Sequence, residues 1–404
     1  MTTLLSPPAL IPLSEVLPTE PLLLMGAGPV PLPHAVAQAN SLVINHLGET
    51  MDEVIKGVKK MAQYAFQTRS DKIIGVAGPS SASMEMAIGN LLWPGRKALV
   101  LKIGTFSGRF GEMALAVGAE VTLIEPPPAC PVTSQMVEDA LQKDHYDVVT
   151  LVQGETSCGV LIQDLPEIAQ LAKGHGALVV VDAVCTLTTM PMFMDQWQID
   201  VLITGGQKGL SSIPGVSMLA FSAEAWEVIE KREERCPHWC LDARKAHRFW
   251  GYQEYHYTAP VPGILALHEA LKLICEETLE RRFERHLLSS TALQAGIETM
   301  GLPLFIPQAY RLNAVVAIDL PQGVNSVRMR KYMAEKFHVE ISGAFGLNIV
   351  RIGQMGEQCR SHNLFKTLYA MGMSFKREGV DLTISAGMAA MEENLVQDAD
   401  HFVD

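Results

Sequence analysis

Two stretches decide how this chain is read: Leu178-Val179-Val180-Val181-Asp182 and Val201-Leu202-Ile203-Thr204-Gly205-Gly206-Gln207-Lys208. Each is an apolar run of strand length that stops abruptly on polar residues. Runs that are apolar on both faces belong to parallel sheets covered on both sides. Asp182 closes the first run, where an unpaired carboxylate is costly to bury. Lys208 closes the second in a crowded Gly-rich loop, with the Pro214-Gly215 turn shortly after it, far from the exposure that Lys prefers.

Working outward, the same grammar repeats. Strand patterns at Ile73 to Val76, Ala98 to Lys102, Val121 to Ile124 and Val148 to Val152 alternate with helical patterns at Ser83 to Leu92, Arg109 to Val117, Ser134 to Gln142 and Glu167 to Lys173. The alternation predicts an α/β core around a mostly parallel sheet. Ligands in such sheets gather beyond the carboxyl ends of the strands. The polar residues stand there: Gly78-Pro79-Ser80-Ser81, Gly104-Thr105-Phe106, Gln153-Gly154-Glu155-Thr156, Asp182 and Gly205-Gly206-Gln207-Lys208. Past about residue 285 the pattern changes to longer helices with strand-like stretches at Ala314 to Leu320 and Val350 to Ile352, which is α+β grammar. The expected division is an N-terminal arm over 1–22, extended because Pro7, Pro8, Pro12 and Pro18 disfavour regular structure, a large domain over 23–284 and a smaller α+β domain over 285–404.

Composition removes several classes of function. The formal charge of −12 disfavours nucleic acid, whose binding runs on clustered Lys and Arg. The single basic cluster, Arg281, Arg282 and Arg285, is interleaved with Glu280 and Glu284 and reads as a solvated helix face. The longest apolar runs, such as Ala177 to Val181, are far short of the ~20 residues that cross a bilayer. The expected setting is cytoplasmic, without a membrane anchor. Seven scattered cysteines form neither a disulfide framework nor a finger-type metal site, and no metal is expected.

The strand-end residues carry the chemistry. Gly78 to Ala82 lies between a strand and a helix, so backbone N–H groups and two hydroxyls face an anion there, although Ser at a helix start serves equally as a plain N-cap. It matches neither of the common nucleotide-binding glycine patterns. Asp182 asks for a cationic partner, which a protonated pyridine nitrogen supplies; an N-cap or an ion pair are the alternatives. Lys208 suits an amine that holds an aldehyde cofactor, exchanges it for a substrate amine and then shifts a proton. A surface lysine is the alternative for this residue taken alone.

With Val181-Asp182-Ala183-Val184, Thr204-Gly205-Gly206-Gln207-Lys208 and Arg351-Ile352-Gly353-Gln354-Met355-Gly356 in that order, the sequence resembles the class V aminotransferases, and among them the alanine/serine–glyoxylate group. The resemblance runs from about Leu24-Met25-Gly26-Ala27-Gly28-Pro29 to the C-terminal helix. It implies the fold-type I architecture, with a large, mostly parallel seven-stranded sheet domain, pyridoxal 5'-phosphate as cofactor, and a homodimer with shared active sites. It further implies Lys208 as the Schiff-base lysine, Asp182 as partner of the pyridine nitrogen and Phe106 stacked on the ring. Ser80, Ser81, Ala82 and Gln207 are implied at the phosphate, Thr156 near the ring hydroxyl and Val184 on the other ring face. Tyr255 and Thr258 would reach the neighbouring subunit's phosphate. Arg351, with Gly28 beside it, would hold the substrate carboxylate.

The implied reaction moves an amino group from alanine, serine or a similar small amino acid to glyoxylate or pyruvate in a ping-pong cycle. Departures from the family pattern are Ala27 in the usual G-P-G-P opening, Pro79-Ser80-Ser81 in the phosphate cup, Gln153 and Gly154 where many relatives carry His, and Cys185 after Asp-Ala-Val. Leu320 to Asn325 resembles the ureidoglycine enzymes, so ureidoglycine or aspartate stays open as donor. A class V lyase of the cysteine desulfurase type, with Cys359 as its thiol, is the alternative from another class.

Overall fold

The computed structural model describes residues 5–396. Seven strands build one sheet: β1 (Ile73–Ala77), β2 (Lys97–Leu101), β3 (Glu120–Ile124), β4 (Val148–Val152), β5 (Leu178–Asp182), β6 (Val201–Gly205) and β7 (Val216–Phe221). Their order across the sheet is β1-β7-β6-β5-β4-β2-β3. All run parallel except β7, which lies antiparallel between β1 and β6. The α/β expectation therefore holds.

Strand β7 has no counterpart among the sequence patterns. Its six residues, Val216-Ser217-Met218-Leu219-Ala220-Phe221, are buried throughout, and a short apolar run without a period cannot be told from buried helix by pattern alone. The proline-rich arm also departs in detail: Leu13–Val16 forms one helical turn with every residue exposed.

The reason for the strand patterns lies in burial. β4, β5, β6 and β7 are buried along their whole length because helices cover both faces, whereas β3 at the edge is half exposed. One apolar cluster joins this sheet to its helices, with Phe66, Phe110 and Phe221 fully buried within it. Burying each such ring contributes roughly 1.5–3 kcal/mol.

A second apolar cluster gathers Met25, Leu293, Val316, Ile352, Leu368 and Phe375. It surrounds an antiparallel pair, β8 (Val315–Asp319) and β9 (Ile349–Gly353), in which Ala317 faces Arg351. The long helix Leu279–Met300 packs here against the Ile384–Val396 helix.

The pairing register fixes the site. Val152 pairs with Asp182, Asp182 with Ile203, and Ser217 with Gly205. The loops after β4, β5 and β6 therefore emerge side by side at one sheet edge. Among the described residues no helix is long and apolar enough to cross a membrane, and no cluster of three or more potential metal ligands occurs.

Candidate active site

Lys208 stands three residues beyond β6, in the turn Lys208 to Ser211, where Ser211 N–H donates to the Lys208 carbonyl. Its Nζ donates to the Ala27 carbonyl. Gly28 has φ +104°, and a Cβ there would strike the Lys208 side chain, so this position needs glycine twice over. Burial pushes the Lys208 ammonium down to about 8, and the Arg351 charge adds to the effect. The amine is thus partly free near neutral pH, as a nucleophile and proton carrier requires.

Asp182 is the last residue of β5 and is buried. Its Oδ1 accepts the Val184 N–H at 2.8 Å. Among the described residues no cation forms an ion pair with it, and it caps no helix. Burial pushes its carboxyl up to about 7, against the pull of the Val184 N–H and the Lys208 and Arg109 charges. Both ordinary explanations for a strand-end aspartate are absent, which leaves a buried acid short of a cation.

The segment after β1 becomes a cradle. Ser80 and Ser81 open the helix Ser80–Leu91, whose N-cap position is Pro79 and which has no side-chain cap. The hydroxyls are therefore not used as caps. The Gln207 amide donates to Ser80 Oγ at 3.0 Å, while Gln207 Oε1 is buried without a partner. Arg109 donates to Ser81 Oγ at 3.1 Å and lies 4.7 Å from the centre of the Phe106 ring. The Ala82 N–H is taken by the Pro79 carbonyl at 2.8 Å, but a helix start with the Ser80 and Ser81 N–H groups free among the described residues, two hydroxyls and one guanidinium suits an anion.

Glu155 explains where Phe106 sits. Its buried carboxylate accepts the N–H groups of Phe106, Ser107 and Ser157 together with the Ser107 and Ser157 hydroxyls. This bundle of donors clamps the start of the Thr105–Ala116 helix to the loop after β4 and holds the half-buried Phe106 ring over the site.

Arg351 comes from the other sheet. It is buried, donates from Nε to the Gly343 carbonyl at 2.9 Å, and also bonds Gly343 and the carbonyl of Thr156 through its two terminal nitrogens. It too has no carboxylate partner among the described residues. Phe345 covers the guanidinium at 5.8 Å and meets Phe106 edge-on, their centroids 6.5 Å apart.

The structure thus gathers Gly28, Ser80, Ser81, Phe106, Thr156, Asp182, Val184, Gln207, Lys208 and Arg351 around one edge of the large sheet. Ala82 lies just inside the cradle helix. Tyr255 and Thr258 are not brought to it: they lie exposed on the segment after the Ala243–Tyr252 helix, where Tyr255 packs edge-on against His46. Sequence reasoning misses the site roles of Glu155, Arg109, Phe345 and the arginines behind Lys208. Glu155 carries the same signal as Asp182, a carboxylate close to the end of a buried strand. The others carry none.

Those arginines are a correction. Arg282 and Arg285 are not on a solvated face; both are buried and share the Glu277 carboxylate. An Arg/Glu alternation reads as solvated only if nothing packs on it, and here two loops of the site do. The reactive-thiol reading also finds no support. Burial pushes Cys158 up to about 11, and raises Cys185 and Cys359 as well, the reverse of the lowered thiol a nucleophile needs.

The structure thus offers, at one place, a lysine amine made available by burial, an acid lacking a cation and an arginine lacking a carboxylate among the described residues. The family model described as aminotransferase class-V matches residues 32–375. The chain belongs to the class V aminotransferases and is a pyridoxal-phosphate-dependent transaminase with the fold-type I architecture. It is 34% identical to the alanine–glyoxylate aminotransferase of Oryctolagus cuniculus over 86% of this chain and 91% of that protein. The ureidoglycine–glyoxylate aminotransferase of Bacillus subtilis superposes with a TM-score of 0.91 at 28% identity, covering 94% of this chain and 99% of the other. The alanine–glyoxylate aminotransferase of Nostoc sp. gives 0.85 at 30% identity, covering 91% and 100%.

Proposed function

We propose that this enzyme transfers the amino group of a small amino acid, alanine or serine, to glyoxylate or pyruvate, with Lys208 as the covalent anchor of the cofactor. The observation that carries the reading is the convergence of Lys208, Asp182 and Arg351, each short of the partner that a cofactor or a substrate supplies. The residues fit pyridoxal phosphate. The helix start with Ser80 and Ser81, beside Arg109, suits its phosphate, and the unpaired Asp182 suits its ring nitrogen. Phe106 and Val184 would take the two ring faces and Thr156 the ring hydroxyl. When bound, the cofactor supplies an aldehyde that captures an amine and a ring that accepts electrons from the substrate Cα.

The chain's own residues do the rest. Arg351 binds the substrate carboxylate through its paired nitrogens, with Gly28 leaving room beside it. Asp182 keeps its proton-binding partner charged. Lys208, once its amine is free, takes the proton from the substrate Cα and would deliver it, from the same face, to the cofactor carbon that carried the aldehyde. Donor and acceptor use the same site in turn, so the two half-reactions separate. Tyr255 and Thr258 are exposed in the single chain, which agrees with a homodimer in which each subunit completes the other's phosphate cradle. The domain division at 284/285 belongs to the same proposal, although the Leu279–Met300 helix crosses that point. A cytoplasmic setting is proposed with it.

The high structural likeness to the ureidoglycine enzyme favours a second donor, (S)-ureidoglycine, over aspartate. A panel of alanine, serine, aspartate and (S)-ureidoglycine, each mixed with the loaded enzyme without acceptor, decides between them. Alanine or serine is expected to convert the cofactor to its aminated form within one turnover, and Lys208→Ala to slow that conversion at least ~10⁴-fold. If no donor converts it, the proposal is wrong.

A further inference from the structure

Behind the site, one helix holds both of its halves. On Leu279–Met300, Arg282 donates from Nη2 to the Gly209 carbonyl at 2.9 Å and to Ser211 Oγ at 3.1 Å, gripping the Lys208 turn at two points. Its Nε donates to Thr188 Oγ1 at 3.2 Å, and that hydroxyl donates in turn to the Gly209 carbonyl at 2.7 Å. One turn further along, Arg285 donates to the Gly356 carbonyl at 2.8 Å, and His286 Nε2 accepts the Gly356 N–H at 2.9 Å. His286 Nδ1–H donates to the Arg282 carbonyl at 2.6 Å, which sets its tautomer. Gly356 closes the loop that follows β9, on the chain segment that leads out of Arg351. The Glu277 carboxylate bonds both arginines, from 2.6 to 3.0 Å.

The backbone under this grip is strained. Thr188 has φ 70° and Ser211 φ 56°, left-handed values uncommon for any residue but glycine and rarer still for a β-branched one such as Thr188. Such strain persists only where the surroundings enforce it. Arg282 is the group that bonds both. Gly356, at φ 59°, reaches the same region without a side chain, and a Cβ there would strike Ser211.

Building on the assignment of Lys208 and Arg351 above, we infer that Arg282, Arg285 and His286 are positioning residues that set the register between the amine and the carboxylate-reading arginine. Arg282 places the Lys208 turn, and Arg285 with His286 places the end of the Arg351 strand. Glu277 neutralises one of the two guanidinium charges and holds both forks at the required angle. None touches substrate; each acts through a carbonyl, hydroxyl or N–H of a loop that does. The arrangement separates two functions on one helix, so its two ends can be broken independently.

The test uses the cofactor-loaded enzyme and two conservative variants. Arg282→Lys keeps a cation for Glu277 but cannot span Gly209, Ser211 and Thr188, so kcat is expected to fall ~100-fold, as a misplaced reacting group costs. The affinity for propionate, a carboxylate probe read through the cofactor absorption, should stay within about twofold. Arg285→Lys should do the opposite, weakening propionate ~10-fold with a smaller loss of kcat, since the charged hydrogen bond to the Gly356 carbonyl is lost. If both variants keep wild-type kcat and propionate affinity, or lose both in the same ratio, the helix is a brace and the inference is overturned. Should Arg282→Lys fail to fold, the Thr188→Val/Ser211→Ala pair removes the two hydroxyl contacts of Arg282, leaving only its bond to the Gly209 carbonyl, and is judged by the same split. Wild-type enzyme that does not react with any donor would instead overturn the Lys208 assignment itself.

Discussion

Two carboxylates in this protein, the buried Asp182 and the half-buried Glu277, behave in opposite ways. Asp182 receives one backbone N–H and no cation, and burial pushes it up to about 7. Glu277 is opposed by burial as well, but its bond to Arg285 and the Arg282 charge outweigh that and hold it down at about 2. The difference separates machinery from scaffold. A buried charge whose partners are all supplied by the chain has its geometry completed by folding. One left short of a partner is completed by whatever binds. Arg351 belongs with Asp182, since among the described residues all its hydrogen bonds go to carbonyls, and Arg282 belongs with Glu277.

Asp182→Asn attacks the comparison at its most sensitive point. With the charge gone, kcat/KM should fall about 10³-fold, as when a preorganised electrostatic contact is deleted. The same change should stabilise the cofactor-free protein. Because the Asp182 pKa is raised in the fold, its contribution to stability is fully present below the unfolded value near 3.8 and is lost as pH rises through about 7. Cofactor-free Asp182→Asn should therefore melt above the wild type at pH 8 and level with it near pH 4. Equal melting at pH 8 would mean that Asp182 has a partner in solution.

Glu277→Gln breaks the other carboxylate and should cost about 3 kcal/mol, because it strands two buried guanidinium groups. Its sign is opposite. A depressed pKa stabilises above the unfolded value near 4.5 and the benefit disappears as pH falls toward 2. Denaturant melts of the two proteins should diverge above pH 5 and converge in acid; parallel curves would contradict the pairing.

Arg351→Lys should have the mildest effect, about 2 kcal/mol or ~30-fold in donor KM with less change in kcat, because a lysine supplies charge but not the paired contact. Steady-state kinetics with alanine and serine measure it. A loss confined to kcat would place Arg351 with the scaffold group and blur the contrast.

Much of the Asp182 side of this contrast is legible in the sequence. Strand ends are marked by where an apolar run stops, so local pattern alone places Asp182, Lys208 and the Ser80-Ser81 turn on one edge of the sheet. The Glu277 side is not legible. Arg282 and Arg285 have the local pattern of an exposed helix, and only the loops after Lys208 and Arg351, each more than 70 residues away in the chain, make them interior. Strand β7 escapes for a related reason, since antiparallel insertion between β1 and β6 leaves no local trace.

By itself, the sequence determined the α/β core and the chemistry offered at its strand ends, because burial on both faces and an abrupt polar stop are local patterns. Tertiary structure alone decided which charges are answered. Whether a buried Asp, Glu or Arg has a partner depends on residues brought from other parts of the chain. That is why Asp182 and Glu277, chemically alike, became an acid short of a cation in one case and a fixed joint in the other.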